Sequence, residues 1–238
     1  MSPNHETNIA SGDNLEPEPP YVIAIGASAG GLEALHQFFR SMPIDSGLAF
    51  VVIQHLSPDF KSFMPELLAR ETKMSIELVQ QDMMLKSNSV YLIPPRHNIA
   101  LENGRFLLTE QDSQSSLKLP IDIFFRSMAQ DLGPRAIGIV LSGTGADGSR
   151  GIQDIWDSGG LVIAQDPPSA QFDSMPLSSI NTKKVHIIAA PEEMPAHIKQ
   201  YIADRNTTLA NIQLRKQADS HLSRILAMLA RSYSVNFE

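Results

Sequence analysis

Short apolar runs rich in β-branched residues alternate along this chain with stretches whose apolar positions recur every three or four residues, the pattern of strands interleaved with helices. Tyr21 to Ile25 reads as the first strand, and Leu32, Leu35, Phe38 and Phe39 mark the helix after it, with Pro43 beyond as a stop signal. Leu48 to Ile53, Ser75 to Val79, Val90 to Ile93, Ala136 to Leu141, Leu161 to Ala164 and Val185 to Ile188 read as further strands. Phe63 to Arg70, the segment opening at Pro120 and a short stretch after Gly148 read as helices. Asn98 to Leu108 places Asn103-Gly104 between two apolar arms, the pair that best closes a two-residue hairpin turn. Together these predict an α/β fold: a three-layer, doubly wound, mostly parallel sheet with one antiparallel hairpin.

The ends of the chain break this rhythm. Residues 1–20 are polar and finish in Glu16-Pro17-Glu18-Pro19-Pro20, without the basic start and apolar middle of a signal peptide, and are expected to be a disordered leader. The main domain is expected over 21–203. One more helix follows Pro191 and is expected to stop at Asn206-Thr207-Thr208, which makes 204–217 a linker. Within 218–238, Leu222, Ile225, Leu226 and Leu229 return at helical spacing. No uninterrupted apolar run approaches the roughly 20 residues that cross a bilayer as a helix, so a soluble, cytoplasmic chain is expected.

Composition narrows the chemistry. The 238 residues are 42% apolar and carry a formal charge of -7. Such a chain can bury a substantial core, and it lacks the basic surface a general nucleic-acid binder needs. The absence of cysteine excludes disulfides, thiol catalysis and zinc–thiolate sites. The histidines show no metal-ligand spacing with one another or with carboxylates, so neither metal nor cofactor is expected.

The first strand breaks into Gly26-Ala27-Ser28-Ala29-Gly30-Gly31 before its helix. A serine at such a turn exposes its hydroxyl beside unpaired helix N–H groups, which suits a nucleophile with an oxyanion site. It equally suits a helix cap or a phosphate cradle. His55 directly follows the second strand and Gln54, and Asp147 lies in the loop after Ile139-Val140-Leu141. All three stand just past a strand's carboxyl end, where open parallel sheets build their sites, and together they are a nucleophile, a base and an orienting acid. Taken singly, Asp147 could shape a turn or cap the helix that follows, and His97, in Pro94-Pro95-Arg96-His97, is a rival base. A nucleotide-binding reading asks for an acid after the second strand, where Gln54-His55-Leu56 stands instead. Met175, in a loop that follows a strand end, is expected to border the cleft.

Gly26-Ala27-Ser28-Ala29-Gly30-Gly31, Gln54-His55, Ser142-Gly143-Thr144-Gly145-Ala146-Asp147-Gly148 and Ala164-Gln165-Asp166-Pro167 through Met175-Pro176, in that order, resemble the catalytic domain of CheB-type protein-glutamate methylesterases. The resemblance runs from about Tyr21 to about Ile202. It implies a serine hydrolase that demethylates glutamate methyl esters on the cytoplasmic helices of chemotaxis receptors and often deamidates receptor glutamines. Ser28 would be the nucleophile, His55 the base and Asp147 the orienter, with Ala29, Gly30, Thr144 and Met175 lining the oxyanion and substrate region. Thr144 stands where the family often has methionine, and where the family typically has a receiver domain this sequence is expected to have only the polar leader over 1–20. Ala218 through Phe237 resembles the opening helix of a CheR-type receptor methyltransferase, which implies a methylesterase–methyltransferase fusion. A catalytically weak regulatory domain on the same fold, or an anion- or nucleotide-binding module, are the competing readings.

Overall fold

The computed structural model describes residues 20–54, 63–111 and 119–211. Its strands are β1 (Val22–Ala27), β2 (Ala49–Gln54), β3 (Ser75–Leu78), β4 (Ser89–Leu92), β5 (His97–Glu102), β6 (Arg105–Glu110), β7 (Ala136–Val140), β8 (Leu161–Gln165) and β9 (Ile187–Ala189). The helices are α1 (Gly31–Ser41), α2 (Met64–Leu68), α3 (Pro120–Leu132), α4 (Gly151–Asp157) and α5 (Ser174–Asn181), with α6 over residues 194–211.

Seven strands form one sheet in the order β3-β4-β2-β1-β7-β8-β9, and every pairing in it is parallel. Parallel strands need crossovers, and the intervening helices supply them on both faces. Alternate residues of β1 divide the core: Ile23, Ile25 and Ala27 meet α1, α2 and α6 through Leu35, Phe38, Leu68 and Ile198. Val22 and Ala24 face the other layer, built on Phe124, Phe125, Ile152, Ile155 and the hairpin residues Leu101 and Phe106. That is the three-layer arrangement the alternation predicts. On the first face Phe38, Phe39 and Phe50 meet edge to face with ring centroids 5.2 to 6.2 Å apart, a geometry worth about 0.5–1.5 kcal/mol per pair beyond burial.

The hairpin pairs β5 with β6 as a separate antiparallel ribbon, with Glu102 opposite Arg105. Its turn residues Asn103 and Gly104 have φ of 51° and 70°, the left-handed values the Asn-Gly pair was expected to supply. Asp131 on α3 accepts from the Asn103 and Gly104 N–H groups, which fastens the turn to the helix layer.

At one point the chain departs from its expected course. Asn206-Thr207-Thr208 does not end the last helix, which continues to residue 211 and so enters the stretch read as a linker. The Thr207 and Thr208 hydroxyls donate to the Ala203 and Asp204 carbonyls one turn back, both at 2.9 Å, so these two polar residues are accommodated inside the helix. The leader over 1–19 and the pattern over 218–238 lie outside the described residues.

Trp156 and His186 stack between α4 and the approach to β9, with ring centroids 4.0 Å apart. His186 Nδ1 accepts the Val162 N–H at 3.1 Å, and partial loss of water around the ring lowers the imidazole below its ordinary value. The folded state therefore favours the neutral ring. Its contribution to stability is complete above the unfolded value of about pH 6.5 and is lost as pH falls through the lowered folded value. Because Trp156 is the chain's single tryptophan, its fluorescence is expected to change as pH falls through the lowered value of His186 and the ring gains charge, and a His186→Phe variant should show no such titration. A titration of equal size in that variant would assign the change to another group.

Candidate active site

The sheet order reverses beside β1. The chain leaves β1 through α1 toward β2 on one side, while β7 pairs on the other. Crevices at such switch points are where doubly wound sheets hold ligands. Ser28 lies at this point, immediately after β1. Its N–H donates to the Ser142 carbonyl at 3.0 Å, which joins the β1 turn to the loop after β7.

Ser142 is fully buried and holds three loops together. Its N–H donates to Gln165 Oε1 at 2.8 Å, its hydroxyl donates to the Ala29 carbonyl at 2.9 Å, and the same oxygen accepts from the Phe172 N–H at 3.0 Å. The sequence reading quoted Ser142 and Gln165 within motifs and gave neither a role. The bond between them joins residues 23 positions apart, so no local signal marks it.

Ser28 is not a helix cap. The N-cap of α1 is Gly30, at φ 71°, and no side chain bonds to the helix end. A Cβ at Gly30 would come within 2.7 Å of Ser142 Oγ and of Gln171 Cβ, so the turn needs glycine for both conformation and space. Among the described residues the Ser28 hydroxyl makes no hydrogen bond, and the N–H groups of Ala29, Gly30 and Thr144 meet no acceptor. The β1 turn and the loop after β7 thus carry a hydroxyl and N–H donors that have no partner among the described residues.

Gly143 leaves no room for a side chain beside Ser28. A Cβ there would lie 2.8 Å from Ser28 Cβ and 2.2 Å from Met175 Sδ. Met175 is fully buried, so it forms the floor beneath Gly143 rather than an exposed border of the cleft. Gly143→Ala is expected to cost about 1–3 kcal/mol by overpacking, read as a lower urea midpoint, with part of the loss recovered when Met175→Ala is added. An unchanged midpoint in the single variant would show the contact to be slack.

Asp147 is buried, 3% exposed, and both carboxylate oxygens accept backbone N–H groups. Oδ2 takes Ile121 and Oδ1 takes Asp122, each at 3.0 Å, and Oδ1 also takes Gly148 at 2.9 Å. It caps α3, which lies earlier in the chain, not the helix that follows it. The following helix α4 is capped by Asp122, whose Oδ1 accepts from Arg150 at 3.0 Å and Gly151 at 2.7 Å. Burial holds the Asp122 carboxyl above the usual carboxylate range, and the charge on Asp147 adds to the shift, against the N–H groups that lower it. Sequence reasoning missed Asp122, whose role on α4 spans 28 residues of chain and leaves no local signal.

His55 lies outside the described residues. Gln54, the residue before it, stands in register with Ala27, the residue before Ser28. The rival base His97 opens the hairpin, with Nδ1 2.8 Å from the Pro95 carbonyl. His36, on α1, lies 3.9 Å from the Glu71 carboxylate. Among the described residues no group of histidines and carboxylates could hold a metal ion, and no helix is long and apolar enough to cross a membrane.

Residues 23–198 match the family model described as CheB methylesterase. The chain is 30% identical over 189 residues to protein-glutamate methylesterase FrzG of Myxococcus xanthus, covering 79% of this chain and 57% of that protein. It is 34% identical over 156 residues to protein-glutamate methylesterase/protein-glutamine glutaminase 1 of Pseudomonas fluorescens, covering 65% and 46%. An uncharacterized 104.1 kDa protein of Rhodobacter capsulatus is 44% identical over 142 residues, covering 60% of this chain and 15% of its own length. These matches span about half or less of each relative. The fold resembles the crystal structure of the Thermotoga maritima CheB methylesterase catalytic domain, with a TM-score of 0.71 at 23% identity over 77% of this chain and 99% of that one.

Proposed function

The chain belongs to the CheB methylesterase family, and on that premise we propose that it is a serine hydrolase that demethylates glutamate methyl esters on the cytoplasmic helices of chemotaxis-type receptors. Ser28 is the nucleophile, His55 the general base and Asp147 the acid that orients the imidazole. The observation that carries this reading is the hydroxyl of Ser28 at the sheet's switch point, which, among the described residues, has no hydrogen-bond partner and stands beside N–H groups that meet no acceptor.

The reaction is acyl transfer. His55 takes the proton as Ser28 Oγ attacks the ester carbonyl, and the developing oxyanion is held by backbone N–H groups. Ala29, Gly30 and Thr144 are the donors available. The protonated imidazole then protonates the departing methoxide, and methanol leaves a glutamyl ester on Ser28. Water, activated by the same imidazole, frees the carboxylate and regenerates the hydroxyl. A glutamine side chain enters the same path with ammonia as the leaving group, which extends the proposal to deamidation. Asp147 favours the imidazole tautomer that accepts from serine and stabilises the ring once charged. The work is placed in the cytoplasm, where receptor helices of this kind are presented.

The purified full chain, incubated with receptor helices carrying glutamyl methyl esters, is expected to release methanol in proportion to enzyme and time. Methanol no faster than in a protein-free blank would overturn the proposal.

A further inference from the structure

The loop carrying Thr144 is held at its two ends by different means. At Gly143 it is wedged, because even a methyl group would collide with Ser28 and Met175. The Gly143 carbonyl also accepts the Met175 N–H at 3.0 Å and the Ser174 hydroxyl at 3.1 Å. Among the described residues no peptide is cis, so with the Gly143 carbonyl turned into the first turn of α5, the Thr144 N–H of the same peptide unit points away from α5.

The other end, Gly145, has no packing to hold it. It sits at φ +89°, and a Cβ built there would meet nothing within 4 Å. Its position comes from two hydroxyls of α5. The Gly145 N–H donates to Ser174 Oγ at 3.2 Å, and the Gly145 carbonyl accepts from Ser178 Oγ at 3.3 Å. Ser174 therefore bonds on both sides of Thr144, donating to Gly143 and accepting from Gly145.

We infer that Ser174 is a positioning residue for the esterase reaction: its hydroxyl, backed by Ser178, fixes the Gly143–Gly145 segment so that the Thr144 N–H serves as an oxyanion donor. The inference rests on the esterase reading for its catalytic consequence, and its structural half stands apart from that reading. Donors that stabilise a transition state must be held in place before the charge appears, since a donor that has to reorient gives part of its benefit back. A serine hydroxyl hydrogen-bonded to both neighbours of Thr144 supplies that constraint. It touches no reacting atom.

The test uses Ser174→Ala, Ser174→Thr and Ser178→Ala in the full chain, with two readouts. Hydrogen exchange of the peptide covering residues 142–148 is expected to speed up in Ser174→Ala and to stay near wild type in Ser174→Thr, which keeps the hydroxyl. In methanol release, kcat is expected to fall about tenfold in Ser174→Ala with KM within twofold. That is less than the 10²–10³ lost when an oxyanion donor is removed outright. Ser174→Thr should recover most of kcat, and Ser178→Ala should lie between it and Ser174→Ala. A kcat within twofold of wild type in Ser174→Ala, a KM effect alone, or a threonine variant as slow as the alanine one would overturn the positioning role. Unchanged exchange in Ser174→Ala would overturn it even in a protein that releases no methanol, whereas absent wild-type activity with accelerated exchange would reject the esterase reading and keep the clamp.

Discussion

Ser28→Ala is expected to reduce methanol release to the assay floor, on the order of 10⁴-fold or more, as loss of the nucleophile does in other serine hydrolases. The same variant is expected to unfold within about 0.5 kcal/mol of wild type. Both halves follow from one local fact. The Ser28 hydroxyl makes no hydrogen bond among the described residues, and α1 takes its cap from Gly30. The contacts that locate residue 28 come from its backbone N–H on Ser142 and its carbonyl on Gly31, and alanine keeps them. A purified Ser28→Ala protein that retains most of its methanol release would remove Ser28 from the mechanism. A large loss of stability would mean that the hydroxyl has a structural partner.

Asp147→Asn is expected to lose on both axes. The carboxylate receives three backbone N–H groups on two oxygens, and an amide has one oxygen to offer. In either orientation of the amide, its NH₂ faces at least one backbone donor. The best arrangement keeps Asp122 and Gly148 and abandons Ile121 at the start of α3, and the negative charge at that helix end is gone as well. A buried unpaired N–H costs about 1–3 kcal/mol, which urea denaturation will show. Activity is expected to fall on the order of 10⁴-fold, because an amide in this position favours the wrong imidazole tautomer. Rates should be taken well below the variant's melting temperature, so that the folded fraction does not enter. Destabilisation with undiminished kcat would leave Asp147 as a cap only.

Much of the fold was legible because its determinants are local. The strand alternation that sorts Ile23 and Ile25 from Val22 and Ala24 into two core layers is visible in adjacent residues. Asn103-Gly104 gives its turn the same way. The sequence also reveals which strand ends carry chemistry-bearing residues. It does not reveal what those residues hold onto. Asp147 reads locally as a cap for the helix after it, and it caps α3 only because the parallel crossover brings that earlier helix alongside. Met175 reads as a loop residue and is packed under Gly143. The threonines at 207 and 208 read as a break because their local preference opposes a helix, yet back-bonding to the preceding turn satisfies their hydroxyls. Asp122, Ser142 and Ser174 went unassigned for the same reason: each acts on a segment more than twenty residues away.

The double attachment of Asp147 separates two kinds of constraint on descendants of this chain. A lineage that gave up ester hydrolysis would be free to replace Ser28 by another small residue, since among the described residues nothing bonds to its hydroxyl. Asp147 would stay under pressure, because α3 keeps its N-terminal cap only while that carboxylate is present. An aspartate at this position therefore testifies to the architecture, and the serine is the residue whose presence or loss reports whether the chemistry has been kept.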